Sequence, residues 1–186
     1  TTLGAELVQE LESMDGVETV GHQYSHQFVW QFDDQMTENL KGFYTEEMLN
    51  DWASYDPTGV DAFHQAVDTR QMSAVIFGLD GIPLDTITQA QHIMQGSFDP
   101  DAFASGEYVL AIGPAIGEGE VYPTLPVPSV GSTVVLEGNT YTVMAVVYPV
   151  MSIDDGAAEA GAPASMEQHF ILPADAFCQN WPENTL

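Results

Sequence analysis

The sequence contains almost no basic residues. Lys41 and Arg70 are the whole complement of lysine and arginine against 28 acidic residues, so the formal net charge is -26 over 186 residues. Such a surface repels phosphate backbones, which excludes nucleic acids as partners. It also attracts cations and basic peptides. Two interpretations of the charge stay open: a solvated surface that keeps an exported domain soluble, or a surface that recognises cationic ligands.

Cysteine and long apolar runs are equally scarce. A single cysteine, Cys178, excludes an internal disulfide, and its neighbours in ADAFCQNWP include no base. This predicts a buried structural thiol rather than a reactive one. No run of 18 or more apolar residues exists, so no membrane span is predicted. The beginning, TTLGAELVQE, lacks the features of a signal peptide, and we expect either a trimmed chain or an upstream targeting segment.

Catalytic motifs are missing as well. The sequence has no GxSxG, no HExxH and no phosphate-binding glycine loop, and GPAIGEGE is acidic and has no lysine. A hydrolase with an Asp, Glu and His cluster would be the enzyme alternative, but nothing in the spacing favours it. We therefore expect no enzymatic activity, no catalytic or cofactor-binding residues and no cofactor.

Two groups of residues were candidates for metal binding. His22 and His26 lie four positions apart without a third ligand at a diagnostic spacing, which favours a polar sheet face over a zinc site. Asp99, Asp101 and Glu107 lack the third oxygen ligand and the central glycine of an EF-hand, which predicts an Asp-stabilised turn. We expect no metal. The other acidic pairs are expected to be solvent-facing loop residues: Asp33 and Asp34, Asp154 and Asp155.

The first half of the chain alternates helical and strand patterns. Apolar spacing predicts a helix over residues 3–14 with Gly16 as its C-terminal cap. A strand is predicted to start at residues 17–20 and to run on through residues 21–32, with alternate side chains of residues 22–30 on one face. Residues 33–72 read as interrupted helices, one of them with Thr45 as N-cap. Residues 73–81 predict a buried strand. A helix is predicted from Pro83 to Gly96.

The second half is richer in strands. It predicts an Asp-Pro turn, a strand over residues 108–112, and a hairpin over residues 130–147 with its turn at Gly138 and Asn139. QHFILP predicts a last strand and ADAFCQNW a last helix. The class is α+β with two lobes: residues 1–78 plus 151–186 form an α/β lobe, and residues 79–150 form a smaller β-rich lobe.

An ordered set of phrases resembles a known family. They are VIFGLDGIPLD, GSFDPDAFASGEYVLA, VGSTVVLEGNTYTVMAVV and HFILP, preceded by the helix-then-strand opening ELVQELESMDGVETV. Together they resemble the MacB-type periplasmic core domain of FtsX-like ABC transporter permeases. The family phrases fall on Gly96 with Phe98-Asp99, on residues 108–110, 130–132 and 141–147, and on Leu172-Pro173. Ser132 stands where the family commonly has an acid or Asn, and residues 31–71 have no clear counterpart.

The resemblance implies a non-catalytic domain on the extracytoplasmic side of the cell membrane of a Gram-positive bacterium. Such a domain lies between two membrane helices of a permease, and its lobes correspond to the porter-like (1–78 plus 151–186) and sabre-like (79–150) parts. It couples ATP-driven motion to export or to an extracellular partner. The implied partners are an ABC ATPase subunit, a second permease copy, and an exported peptide, lipoprotein or extracellular protein. The alternative is a secreted or surface-anchored acidic module that binds cationic peptides.

Overall fold

The computed structural model describes residues 10–11, 13–17, 20–113, 116–117, 120–121, 127–148 and 167–184. It has the α+β fold that the sequence predicts. The strands are β1 (Gln23–Gln31), β2 (Gln71–Leu79), β3 (Ile93–Gly96), β4 (Tyr108–Ile112), β5 (Ile116–Gly117), β6 (Glu120–Val121), β7 (Thr133–Leu136), β8 (Asn139–Val147) and β9 (Glu167–Pro173). The helices are α1 (Asp34–Phe43), α2 (Glu46–Tyr55), α3 (Pro57–Thr69), α4 (Gly81–Ile87), α5 (Pro100–Ala104) and α6 (Ala174–Asn180). Short 3-10 turns lie at Ala90–His92 and Pro182–Asn184.

Seven of these strands form one mixed sheet in the order β1-β2-β9-β4-β8-β3, with β7 also paired to β8. β2 and β9 are parallel, as are β4 and β8, and the other neighbours are antiparallel. The pairing of Leu110 with Ile171 joins strands from the middle of the chain to the strand near its end. The division into two lobes at residues 79 and 150 stays a prediction.

Alternate side chains place two cores on the two faces of the sheet. The larger core includes Trp30, Ile76 and Phe170 and packs against the helices α1 to α3 and α6. The smaller core includes Leu79, Leu110 and Ile171 and packs against α4 and α5. Because a strand alternates its side chains between the faces, consecutive residues such as Phe170 and Ile171 enter different cores. Residues 31–71, for which the sequence phrases of the resembled family have no clear counterpart, supply three of the helices over the larger core, α1 to α3.

The helix starts follow local side-chain chemistry. Thr45 Oγ1 accepts a hydrogen bond from the Met48 amide, which confirms the predicted N-cap. Asp33 caps α1 in the same way at Met36. Asp99 Oδ1 accepts from the amides of Asp101 and Ala102, which confirms an Asp-stabilised turn there. Asp154 and Asp155 lie outside the described residues.

The start of the chain is described only in part. Glu10, Leu11 and Ser13 are helical, and the rest of the helix predicted over residues 3–14 is not described except for Met14, which lies in a bend. Gly16 has a φ of +92°, the left-handed conformation expected of a C-terminal cap.

The helix predicted from Pro83 to Gly96 is right at its start but too long. It ends at Ile87, and residues 93–96 form the strand β3 instead. After the helix, His92 Nδ1 lies 2.7 Å from the Thr86 carbonyl oxygen. The next residues form β3, which pairs with β8. Gly96 has a φ of +81°, and a Cβ there would lie 2.6 Å from the Met144 carbonyl oxygen. Pairing in the sheet therefore overrides the local helical spacing.

The hairpin of residues 130–147 is confirmed, but its turn lies one residue earlier than predicted. Val134 pairs with Tyr141, and Leu136 pairs with Asn139, so Asn139 is already in the strand. Glu137 and Gly138 are the central residues of the turn, with φ values of +47° and +87°. Two positive φ values define a type I′ turn, whose twist matches that of a two-residue hairpin.

Candidate functional site: a cluster joining both chain ends to the hairpin

The strand β1 directs its even-numbered residues toward α6, as the alternation predicts. Its burial alternates along the whole strand, and His22, Tyr24 and His26 are half-buried on this face. The two histidines do not converge on one point. His22 Nδ1 lies 2.8 Å from Asp80 Oδ2, whereas His26 Nε2 lies 2.7 Å from Glu137 Oε2. Within the described ranges, no group of three metal-ligating side chains exists.

The His26 cluster, as we call it, consists of four side chains in contact: His26, Glu137, Trp181 and Asn184. Glu137 Oε2 accepts a hydrogen bond from Trp181 Nε1 at 2.7 Å as well as facing His26. Asn184 Nδ2 lies 3.1 Å from His26 Nδ1, and the rings of His26 and Trp181 stack at 5.7 Å. The cluster thus joins β1, the hairpin turn and the segment that follows α6.

The hydrogen bonds of the His26 cluster select one tautomer of the neutral imidazole. An amide nitrogen can only donate, so Asn184 Nδ2 donates to His26 Nδ1. The ring proton then lies on Nε2 and is donated to Glu137. The same carboxylate oxygen accepts from the Trp181 indole. In these three hydrogen bonds each donor faces an acceptor.

The backbone at Glu137 is unusual for a glutamate. A left-handed φ at this turn position favours Asn, Asp or Gly, and Glu adopts it at a cost. The shorter side chains that suit the turn would not extend as far toward His26 and Trp181. The longer glutamate side chain reaches both His26 and Trp181.

Neighbouring groups extend the contact between α6 and the sheet. Asn180 Nδ2 donates to Tyr141 Oη at 2.8 Å, and burial raises the pKa of Tyr141. Burial also raises the pKa of Tyr24 and of the Cys178 thiol, which are hydrogen-bonded to each other. Cys178 is half-buried rather than fully buried, and its raised pKa agrees with an unreactive thiol.

Both basic side chains of the protein lie elsewhere, around one shallow cavity of about 410 Å³. Lys41 Nζ lies 3.2 Å from Glu38 Oε1, and Arg70 forms an ion pair with Asp34. Asp34, expected to face solvent, is exposed and occupies the first turn of α1. Since Asp68 also lines the cavity, the acids outnumber the bases there. The cavity is therefore poorly suited to an anionic ligand.

The hydrogen bonds of the His26 cluster attach β1, the hairpin turn and the segment after α6 to one another. No serine or cysteine nucleophile takes part in its hydrogen bonds. Sequence reasoning predicted no site residues and missed this contact, because its members are far apart in the chain. The one local signal was Glu137 itself, a glutamate before Gly138 where a tight turn prefers a smaller residue.

Comparison with known proteins shows a structural likeness. No family model matches the chain, and no curated protein does. A solved structure does: the extracellular domain of the noncanonic ABC-type transporter YknZ from Gram-positive bacteria, at a TM-score of 0.51 and 12% identity, covering 98% of this chain and 68% of that chain. In the part of the chain that the structure describes, we find no helix that could cross a membrane.

At this identity the likeness shows a shared fold and not a shared activity. The chain is similar in fold to the extracellular domain of an ABC transporter. The sequence phrases resemble a domain of the same kind. The resemblance further predicts that residues 22–28 share a sheet with QHFIL and that Val134 faces Tyr141, and the structure agrees with both. β1 and β9 lie in one sheet, and Val134 faces Tyr141 across the hairpin.

Proposed function

We propose that the chain is the non-catalytic extracytoplasmic domain of an FtsX-like, MacB-like ABC transporter permease. The observation that carries this proposal is the fold, which the chain shares over 98% of its length with the extracellular domain of an ABC-type transporter. The ordered sequence phrases support the same class. Its location is the outer face of the cell membrane of a Gram-positive bacterium, and ATP is hydrolysed by a separate subunit or domain.

The His26 cluster supports a role in passing motion through the domain. In a permease of this class, both ends of the domain continue into membrane helices. His26 and Asn184, near these ends, are 158 positions apart in sequence but in contact. Glu137 connects them to the β7–β8 hairpin. Displacement of the two ends would therefore move the hairpin. The hairpin would in turn act on the partner of the domain, which is a second permease copy, an exported peptide or lipoprotein, or an extracellular protein.

Hydrogen exchange on the full-length permease, assembled with its ATPase subunit in lipid nanodiscs, tests this proposal. We expect exchange in residues 133–147 to change when a non-hydrolysable ATP analogue binds. In Glu137→Ala the change should disappear while ATP hydrolysis continues. The exposed residue Asp61, which takes no part in the cluster, provides the control variant Asp61→Ala. Identical exchange with and without nucleotide in the unmodified protein would contradict the coupling.

The acidic binding module for cationic peptides stays a prediction from the charge. The edge of β1 is one specific feature of the structure that bears on it.

A further inference from the structure

The strand β1 forms one end of the sheet and has an unpaired edge. It pairs with β2 on one side only, and none of the strands in the described part of the chain lies on its other side. Two backbone hydrogen bonds flank β1: Phe32 N donates to Arg70 O, and Asp80 N donates to His22 O. Because His22 and Phe32 are both even-numbered, the even-numbered residues of β1 are the ones whose backbone bonds to β2. Opposite residues in an antiparallel pair alternate between bonded and unbonded. The odd-numbered residues therefore direct their N–H and C=O groups outward.

Within the described residues, β1 itself carries none of the sequence features that normally protect an edge. Natural edge strands are shielded by charged side chains, proline, bulges or short length. β1 has nine residues, QYSHQFVWQ, in a continuous register with β2, without Lys, Asp, Glu or Pro. Its outward residues are all exposed: Gln23, Ser25, Gln27, Val29 and Gln31. Val29 is 68% exposed, a large value for an apolar side chain within a strand.

The charge around the edge selects the kind of strand that would bind it. Glu137 contacts His26, Glu167 lies near Gln27, and Asp33 follows the end of β1, whereas Asp34 beside it is paired with Arg70. A second copy of this chain would bring another net charge of -26 to the edge, so repulsion opposes pairing of two copies. A basic segment would instead be attracted at long range and held by main-chain hydrogen bonds.

We propose that β1 binds an extended basic segment of a protein partner, which adds a strand to the sheet. Main-chain hydrogen bonds to the odd-numbered residues hold the segment, and the surrounding carboxylates set its charge preference. This proposal concerns a binding activity of the domain itself, so it holds or fails independently of the transporter assignment.

The test uses a synthetic peptide as long as β1, made of alternating Lys and Thr, and the same peptide with every backbone nitrogen methylated. Both have the same charge, but only the first can donate main-chain hydrogen bonds. The matched variants are Gln27→Pro, which removes an outward N–H, and Gln27→Ala, which retains it. Proline is tolerated at edge positions whose N–H faces solvent, and circular dichroism verifies folding.

Calorimetry and amide exchange then decide the proposal. We expect the unmethylated peptide to bind, to weaken as salt rises, and to protect the amides of Ser25, Gln27 and Val29. Gln27→Pro should weaken binding about tenfold relative to Gln27→Ala. If Gln27→Pro does not fold, the proposal is tested by comparing the binding of the methylated and unmethylated peptides to the unmodified protein. The proposal is overturned if the two peptides bind equally well, or if the odd-numbered amides stay unprotected when the peptide is bound. A dimer of the protein that protects these amides without peptide would overturn it as well.

Discussion

His26 Nε2 lies 2.7 Å from Glu137 Oε2, although the two residues belong to opposite ends of the seven-stranded sheet. β1 is the first strand of that sheet, and the β7–β8 turn lies at its far end. Trp181 bonds to the same carboxylate from the segment after α6. The contact therefore ties the two edges of the sheet to each other and to the end of the described chain.

Removing this carboxylate should cost stability. In Glu137→Ala, His26 Nε2 and Trp181 Nε1 lose their shared acceptor in a half-buried site, and we expect the free energy of unfolding to fall by about 1–3 kcal/mol. Glu137→Gln retains one acceptor oxygen and should lose less. Urea denaturation followed by tryptophan fluorescence measures both, with Asp61→Ala expected within about 0.5 kcal/mol of the unmodified protein. Equal free energies of unfolding for Glu137→Ala and Asp61→Ala would show that the His26 cluster does not stabilise the fold.

The docking of α6 on β2 depends on a glycine in the strand. A Cβ at Gly78 would lie 2.5 Å from Phe177 Cβ and 2.6 Å from its Cγ. Because Phe177 is fully buried and cannot move aside, Gly78→Ala should lower the free energy of unfolding by about 1–3 kcal/mol.

A second glycine supplies the control for that prediction. A Cβ at Gly42, near the end of α1, would have no neighbour within 4 Å. Gly42→Ala should therefore raise the free energy of unfolding by up to about 1 kcal/mol, because alanine favours a helix. Thermal unfolding of both variants gives the comparison. A neutral Gly78→Ala would mean that α6 does not pack against β2 as described.

Alkaline pH should destabilise the protein partly through Tyr44. Burial raises the pKa of Tyr44 from 10.0 to about 12. Between these values the unfolded chain loses the phenolic proton more readily than the folded protein, so stability falls as pH rises through this window. In Tyr44→Phe, the slope of unfolding free energy against pH should be shallower between pH 10 and 12. Unchanged slopes would contradict the assignment, and tyrosinate absorbance reports the ionisation directly.

Local patterns predict the parts of this fold that local chemistry determines. The alternation of β1 and the cap at Thr45 follow from neighbouring residues and are confirmed. The strand β3 could not be predicted, because its partner β8 lies about fifty positions later and overrides a helical spacing. The turn at Glu137 was placed one residue late, since Gly138-Asn139 is also a favourable turn pair.

The candidate site could not be predicted for the same reason. His26 and Glu137 are 111 positions apart, and Glu137 and Trp181 are 44 apart. No sequence spacing indicates such contacts. His26 was considered as a metal ligand together with His22, but the strand gives each histidine its own carboxylate partner, Asp80 for His22 and Glu137 for His26.

The position of the domain relative to the membrane is the central claim, and labelling of intact cells tests it most directly. The experiment uses the full-length protein without its native cysteines, including Cys178, and with Asp61→Cys on the exposed surface of α3. We expect a membrane-impermeant maleimide to label this cysteine as completely in intact Gram-positive cells as in lysed ones. Labelling that requires lysis would place the domain in the cytoplasm and contradict the account.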